Sequence, residues 1–124
     1  MAGPMLLCYN LDKRTDAMLR VLCQKQHIRF RAVKPKEYAL PVGALAGIPA
    51  KAEVGADPGG FNAPMLVMCH MLSTQLNAFL QGMRQDGVPR VALKAVLTPT
   101  NVTWNSVQLH DELAREHEAV QRKQ

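Results

Sequence analysis

The stretch "PMLLCYNL" at residues 4–11 recurs further along the chain as "PMLVMCHM" at residues 64–71. Each copy is a proline followed by an apolar run, which is typical of a strand buried on both faces of a sheet. A helical pattern and a second strand follow each copy, the second strands being "IRFRAV" at 28–33 and "RVALKAVL" at 90–97. The repeat therefore predicts two βαβα units.

The two predicted units span residues 4–47 and 64–120, and a loop at 48–63 joins them within one domain, 1–124. Alternation of strands and helices predicts an α/β fold with a four-stranded, mostly parallel sheet and helices on both faces. The two repeated apolar runs are expected in the centre, which gives the strand order 2-1-3-4. The version with a parallel third strand is favoured. A ferredoxin-like α+β sheet, in which the third strand is reversed, is the alternative.

Composition fits a small intracellular protein. The start of the chain lacks the pattern of a signal peptide, and no apolar run is long enough to cross a bilayer. Its three cysteines are odd in number and lack the spacing of metal ligands, which is typical of a reducing compartment. These features predict a cytoplasmic protein without membrane association, and neither a metal nor a cofactor is predicted.

The positive charge is concentrated near the start of the chain. The net charge is +5, but residues 1–36 hold eight Lys or Arg against two Asp, whereas residues 37–124 hold seven against eight acidic residues. The basic segment is 13–36. It suggests either a solvated face or weak nucleic-acid binding, although Phe30, the aromatic residue among the cations, is expected on the face opposite Arg29 and Arg31. The pattern does not favour nucleic acid.

A binding site is predicted at the carboxyl ends of the strands, because ligands of open α/β sheets bind there, where the strand order reverses. With a parallel third strand, Asn10 and His70 would lie together in this crevice. Thr98, Thr100 and Asn101, which follow the fourth strand, would line the same rim.

The turn "TPTN" at 98–101 admits two interpretations. Threonine and asparagine beside a helix start can hold an anion, but the same side chains are also good turn formers and caps. The following helix is predicted to begin near Asn105, where Asn105 and Gln108 form a capping box. Its buried residues are expected to be Leu109, Leu113 and Val120. Trp104 can anchor this helix or stack on a ligand.

Catalysis by a thiol is the alternative function. A small enzyme would use Cys69 or His70, but adjacent residues of a strand point to opposite faces and cannot act as a pair. Such an enzyme requires an accessible thiol of low pKa.

Residues 64–118 resemble an uncharacterised family of short bacterial proteins, mainly from Firmicutes, that is known only as a domain of unknown function. The resemblance is carried by Cys69, by Gly87-Val88-Pro89, by "LKAVLTPTN" at 93–101, by Trp104 and by Glu116-His117. It implies a lineage but no activity. It marks Lys94 and Trp104, with the turn between them, as family positions, whereas His70 departs from the small residue expected after the cysteine.

The function predicted from the sequence is therefore unknown in detail. The first hypothesis is a binding or regulatory module for a small anionic ligand or a protein partner. The predicted ligand-binding residues are Lys94, Thr98, Thr100, Asn101, Trp104, Asn10 and His70. The sequence is also compatible with a homodimer.

Overall fold

The computed structural model describes residues 3–48 and 59–122. It contains one four-stranded sheet, whose strands are β1 (Met5–Tyr9), β2 (Arg29–Ala32), β3 (Met65–Cys69) and β4 (Leu93–Val96). The helices are α1 (Lys13–Lys25), α2 (Val42–Leu45), α3 (Ser73–Gln85) and α4 (Ser106–Arg122), and a 3-10 turn occupies Pro35–Glu37. The predicted loop at 48–63 lies largely outside the described residues.

The strand order is β2-β1-β3-β4, as the apolarity of the two repeated runs predicts. β1 pairs with β2 and β3 pairs with β4 in parallel, so the sheet is mostly parallel and the predicted α/β class is confirmed. The central pair, β1 and β3, is antiparallel. The favoured direction of the third strand was therefore wrong, and the reversed direction of the ferredoxin-like alternative occurs here within the predicted strand order.

The register of the central pair explains its direction. Leu7 lies opposite Val67, and these two residues occupy equivalent positions in the repeat. An antiparallel pair centred on equivalent residues relates the two units by an approximate two-fold axis. Residues with a left-handed backbone conformation follow the same two-fold symmetry. Asn10 directly follows β1 and His70 directly follows β3, with φ of 55° and 58°.

Each face of the sheet carries its own core. One face packs against α1 and α3, through Leu6, Cys8, Leu66 and Met68 of the central strands. The opposite face packs against α2 and α4, through Leu7, Tyr9, Met65, Val67 and Cys69. All five residues of β3 are buried, which is why its sequence shows no polar alternation.

Side-chain hydrogen bonds satisfy backbone N–H groups at the starts of α1, α3 and α4. Asp12 caps α1, accepting a hydrogen bond from the Thr15 N–H at 2.7 Å. Ser73 is the first helical residue of α3, and the Leu72 N–H before it is satisfied by the Gln75 side chain at 2.8 Å. The capping box of α4 is confirmed, because Asn105 and Gln108 exchange side-chain-to-backbone hydrogen bonds of 2.9 Å.

The buried stripe of α4 is shorter than predicted. Leu109 is buried and Leu113 is partly buried against the core, but Val120 is 60% exposed. Val120 lines a shallow surface depression with Ala92 and Leu93 at the start of β4, so it borders the sheet without being buried by it.

One buried polar contact crosses the α2/α4 core. The hydroxyl groups of Tyr9 and Ser106 lie 2.8 Å apart, and both residues are 0% exposed. Removing one partner leaves the other hydroxyl buried without a hydrogen bond, which costs more than removing both.

We expect Tyr9→Phe to lower the free energy of unfolding by about 1–3 kcal/mol. The double variant Tyr9→Phe/Ser106→Ala should recover part of this loss, since no hydroxyl then remains unsatisfied. Urea denaturation of both single variants and the double variant measures the coupling. Additive losses from the two single changes would contradict this account.

Candidate functional site

The structure separates the predicted site residues into two groups. Because β1 and β3 are antiparallel, Asn10 and His70 lie at opposite ends of the sheet. The predicted crevice containing both residues is therefore not formed. His70 shares its end of the sheet with the turn at 98–101, since β3 and β4 are parallel.

Asn10 and His70 each hold a neighbouring segment in place. The Asn10 amide donates hydrogen bonds to the carbonyl groups of Phe61 and Ala63, at 2.8 and 3.2 Å, and so fixes the approach to β3. His70 Nε2 lies 3.0 Å from the Ala46 carbonyl oxygen, next to the end of α2. Both side chains act as tethers in this arrangement.

The approach to β3 is also held by stacked rings. Phe61 stacks on Tyr38, with ring centroids 4.8 Å apart, and on His110 of α4, at 4.2 Å. This stack could not be predicted from the sequence, because its three members come from separate segments that only the tertiary fold brings together.

The turn after β4 is closed mainly by its own hydrogen bonds. Asn101 Oδ1 accepts from the Thr98 N–H at 2.9 Å, and Thr98 Oγ1 accepts from the Asn101 N–H at 3.2 Å. The Asn101 amide also donates to the Val96 carbonyl at 3.0 Å. Thr98 and Asn101 thus serve as turn and cap, as one of the two interpretations predicts.

The same turn supports α2. The Val42 N–H donates to the Trp104 carbonyl at 2.8 Å, and the Gly43 N–H donates to the Val102 carbonyl at 2.9 Å. A Cβ atom at Gly43 would meet the Val102 carbonyl oxygen at 2.8 Å, so only glycine permits this approach. The turn is therefore a joint between β4, α2 and α4.

The side chains of Thr100 and Trp104 do not help to close the turn. Within the described part of the chain, neither the Thr100 hydroxyl nor the Trp104 indole N–H has a hydrogen-bond partner. Both residues line a groove of about 310 Å³ between the outer edge of β4 and α4. Lys94, Thr98 and Asn101 line it as well, so five of the seven predicted residues meet there.

The charge of this groove is negative on its helix side, where Glu112 and Glu116 line it. The side chain of Lys94 lies on the other face of the sheet, because it alternates with the buried Leu93 and Ala95. Its ammonium group donates to the Val91 carbonyl at 2.7 Å. Lys94 therefore contributes a cation to the α3 face and backbone groups to the groove.

A second cavity, of about 330 Å³, lies on the α3 face beside the Lys94 side chain. Its apolar lining consists of Leu80, Met83, Val88 and Val91, and its charged lining consists of Arg84, Arg90 and Lys94. Sequence inspection missed this cavity, because Arg84 lies in α3 and Arg90 in the loop before β4, where both look like ordinary surface residues.

Charge repulsion is already present at this cavity. Burial lowers the pKa of Lys94, and the nearby charges of Arg90 and Arg84 lower it further. Among the residues that the structure describes, none of these three cations forms an ion pair with a carboxylate. The charged form of Lys94 is therefore less favoured here than in a solvent-exposed lysine.

Several cations of the basic segment 13–36 are engaged within the molecule. Arg31 contacts Glu37 at 2.7 Å and donates to the Leu45 carbonyl at 2.8 Å. Arg20 contacts Asp16 at 2.6 Å and covers the Phe30 ring at 4.3 Å. Phe30 is thus covered rather than presented as a stacking surface for bases.

The three thiols are enclosed in the core. Cys8, Cys23 and Cys69 are all buried. Burial raises the pKa of Cys23 and of Cys69 to about 12, and it raises the pKa of Cys8 as well, which the neighbouring Cys23 reinforces. A thiol that is buried and protonated is a poor nucleophile.

The protein is an α/β protein of two βαβ units, which are joined by the antiparallel pairing of β1 with β3. It has two candidate binding surfaces, one on each side of β4. Residues 64–120 match the model of a family described as a domain of unknown function (DUF3783). This range comprises β3, α3, β4 and most of α4, and it contains both surfaces. No match was found among curated proteins or among solved structures.

Two further structural findings bear on function. Within residues 3–48 and 59–122, no helix is long and apolar enough to cross a membrane. Across the same ranges, no group of three His, Cys, Asp or Glu residues is placed to hold a metal ion.

We expect Asn101→Ala to lower the free energy of unfolding by about 1–3 kcal/mol, because it leaves the Thr98 N–H and the Val96 carbonyl without their partner. The matched control is Thr100→Ala in the same turn, which removes a hydroxyl that forms no hydrogen bond with any described residue and should change stability by less than about 0.5 kcal/mol. Thermal denaturation compares them. An equal loss in both variants would contradict the assignment of Asn101 as the closing residue.

We expect all three cysteines to resist iodoacetamide at pH 7 in the native protein, with rates roughly a hundredfold below those in urea, because the thiolate fraction and the access are both low. Mass spectrometry of the labelled peptides follows each thiol separately. A cysteine that is alkylated rapidly under native conditions would revive the thiol-enzyme hypothesis.

Proposed function

We propose that this protein is a non-enzymatic binding module for a small amphipathic anion, which it binds in the cavity on the α3 face. The observation that carries the proposal is the convergence of Arg84, Arg90 and Lys94 on an apolar cavity, whose lining includes no carboxylate among the residues that the structure describes. The proposal keeps the predicted anionic ligand and the predicted role of Lys94.

The apolar side of the cavity fits a hydrocarbon or ring portion. Met83 and Val91 are buried at its floor, with exposures of 7% and 3%, while Leu80 and Val88 are partly buried. A volume of about 330 Å³ is at the lower end of the range for small-molecule sites, which supports a ligand of modest size. Burying its apolar portion would contribute roughly 25 cal/mol per Å².

The charged side fits a carboxylate or phosphate. Arginine and lysine bind such anions by charge-assisted hydrogen bonds, which are stronger than those between neutral groups. An anion would also relieve the mutual repulsion of the three cations and raise the pKa of Lys94 towards its ordinary value. A cationic or neutral ligand would gain neither effect.

The groove on the other side of β4 is less suited to an anion. Glu112 and Glu116 line it, and like charges would oppose binding there. The turn residues Thr98 and Asn101 are engaged in closing the turn. For these reasons the anionic ligand is assigned to the α3 face and not to the turn.

The setting of this function is part of the proposal. We propose a bacterial, cytoplasmic protein, on the basis of the resemblance carried by "LKAVLTPTN" and of three unpaired, buried cysteines. Lys94 is the one position of that string that contributes a charged side chain to the cavity, which supports a functional reason for the lysine.

We expect octanoate to bind the protein and to shift the amide resonances of residues 80–94, with octanol and octylammonium binding more weakly. Lys94→Met should weaken octanoate binding roughly five- to tenfold, since it removes one charge-assisted contact. Isothermal titration calorimetry measures the affinity. The matched control is Lys13→Met, which removes an exposed lysine of α1 that lies outside the cavity.

The pH dependence provides a second criterion. The pKa of Lys94 is lowered in the folded chain, so its charge is lost at a lower pH than that of an ordinary lysine. Octanoate affinity should therefore fall as the pH rises through the pKa of Lys94, whereas octanol affinity should not change. Equal binding of octanoate and octanol at neutral pH, or an unchanged affinity in Lys94→Met, would refute the proposal.

A further inference from the structure

We propose that the groove between β4 and α4 binds an extended basic peptide, which joins the sheet as an additional strand beside β4. This surface faces away from the anion cavity, on the α4 side of the sheet, and the inference does not rest on the proposed function. It assigns a protein partner of stated chemistry to the residues from Lys94 to Trp104.

The first observation is the open edge of β4. Within the described part of the chain, β4 pairs with β3 alone. The Leu97 N–H donates to the Met68 carbonyl at 2.9 Å, and residues of a strand alternate in the direction of their backbone groups. The backbone groups of Lys94 and Val96 therefore point outward, towards the groove.

The second observation is that one end of this edge is closed. The Asn101 amide donates to the outward Val96 carbonyl at 3.0 Å. The groups left for an incoming strand are the N–H of Val96 and the N–H and carbonyl of Lys94. Main-chain pairing of this kind supplies affinity in strand addition, and side-chain pockets supply specificity.

The third observation is the apolar surface of α4 on the side of the groove opposite β4. Leu109 and Leu113 of α4 face the edge across a space of about 310 Å³, and Trp104 closes the groove beside the turn. The Trp104 ring offers an apolar surface at the end of the groove, and its indole N–H, which bonds to no residue in the described ranges, offers a donor there. A strand lying here would be covered by a helix on one side.

The fourth observation is the charge. Glu112 and Glu116 extend from the helix wall, and only Glu112 has a cationic neighbour among the described ion pairs, an exposed contact with Arg115 at 3.2 Å. The ammonium group of Lys94 lies on the other face of the sheet. Lysine side chains of an incoming strand could lay their apolar stems on Leu113 and place their charges beside the two carboxylates.

Strand alternation defines the sequence pattern of the partner. Basic residues would face α4 at every second position, and the intervening residues would lie on the side of the Val96 side chain, a residue that is 39% exposed. Apolar or β-branched residues suit those intervening positions. The inferred partner is therefore a basic–apolar alternating segment of about five to eight residues.

The probe is a blocked peptide of about eight residues that alternates lysine and valine, compared with one that alternates glutamate and valine. We expect the lysine peptide to shift the amide resonances of residues 94–96 and 98–104 and to slow the hydrogen exchange of the Val96 N–H. Glu112→Gln/Glu116→Gln should weaken its binding by about fivefold or more, as the removal of two exposed charge pairs predicts.

The decisive variant is Val96→Pro. Proline removes the outward N–H of Val96 without removing a bond to β3, and edge strands tolerate it. Val96→Pro should abolish peptide binding, whereas the control Val96→Thr, which keeps the N–H and the β-branched side chain, should retain it. Circular dichroism and thermal denaturation establish whether each variant is folded, and the double glutamine variant tests the groove if Val96→Pro does not fold.

Three outcomes would overturn the inference. The first is equal binding of the lysine and glutamate peptides, and the second is undiminished binding by folded Val96→Pro. The third is self-association of the chain through this edge in the absence of peptide, measured by analytical ultracentrifugation, which would make a second copy the occupant. Octanoate binding is measured separately, so failure here and failure of the anion cavity can be distinguished.

Discussion

The antiparallel pairing of β1 with β3 is the interaction on which the rest of the structure depends. It joins two βαβ units along their most apolar strands, with Leu7 opposite Val67 at the centre. Neither unit could bury its central strand on both faces alone, because a strand of this kind needs a neighbour on each side and helices above and below. The pairing also decides which strand ends meet, and therefore which residues can form a site.

The sequence was sufficient to predict the strand order but not the direction of β3. Order follows from apolarity, since the two runs with the fewest polar residues must occupy the centre. Direction has no such determinant, because a strand buried at all five positions presents the same apolar surface whichever way it runs. The crevice predicted from Asn10 and His70 depended on that direction. The grouping of Lys94 with the turn and Trp104 did not depend on it, because these residues are near one another in the chain and line the same groove.

Residue types and spacing were likewise sufficient to predict how the turn is closed and capped, but not which side chains pack around it. The capping roles of Asn105 and Gln108 follow from their spacing, and the closing role of Asn101 follows from its residue type. The acidic side chains opposite the turn come from α4, and the cations on the other side of β4 come from α3 and the loop that follows it. Only tertiary packing brings them beside the strand. β4 thus separates two surfaces of opposite charge, and Lys94 contributes to both through different atoms.

The hydrogen bond from Asn101 to the Val96 carbonyl has a consequence for solubility. An exposed edge strand can template the stacking of further chains, and proteins usually prevent this with charges, prolines or bulges. Here a single side-chain amide occupies one of the outward carbonyl groups and truncates the edge after a few residues. A long aggregating ribbon cannot continue past that point. A short length of the edge is therefore left to pair with another chain, which limits its capacity to template fibres.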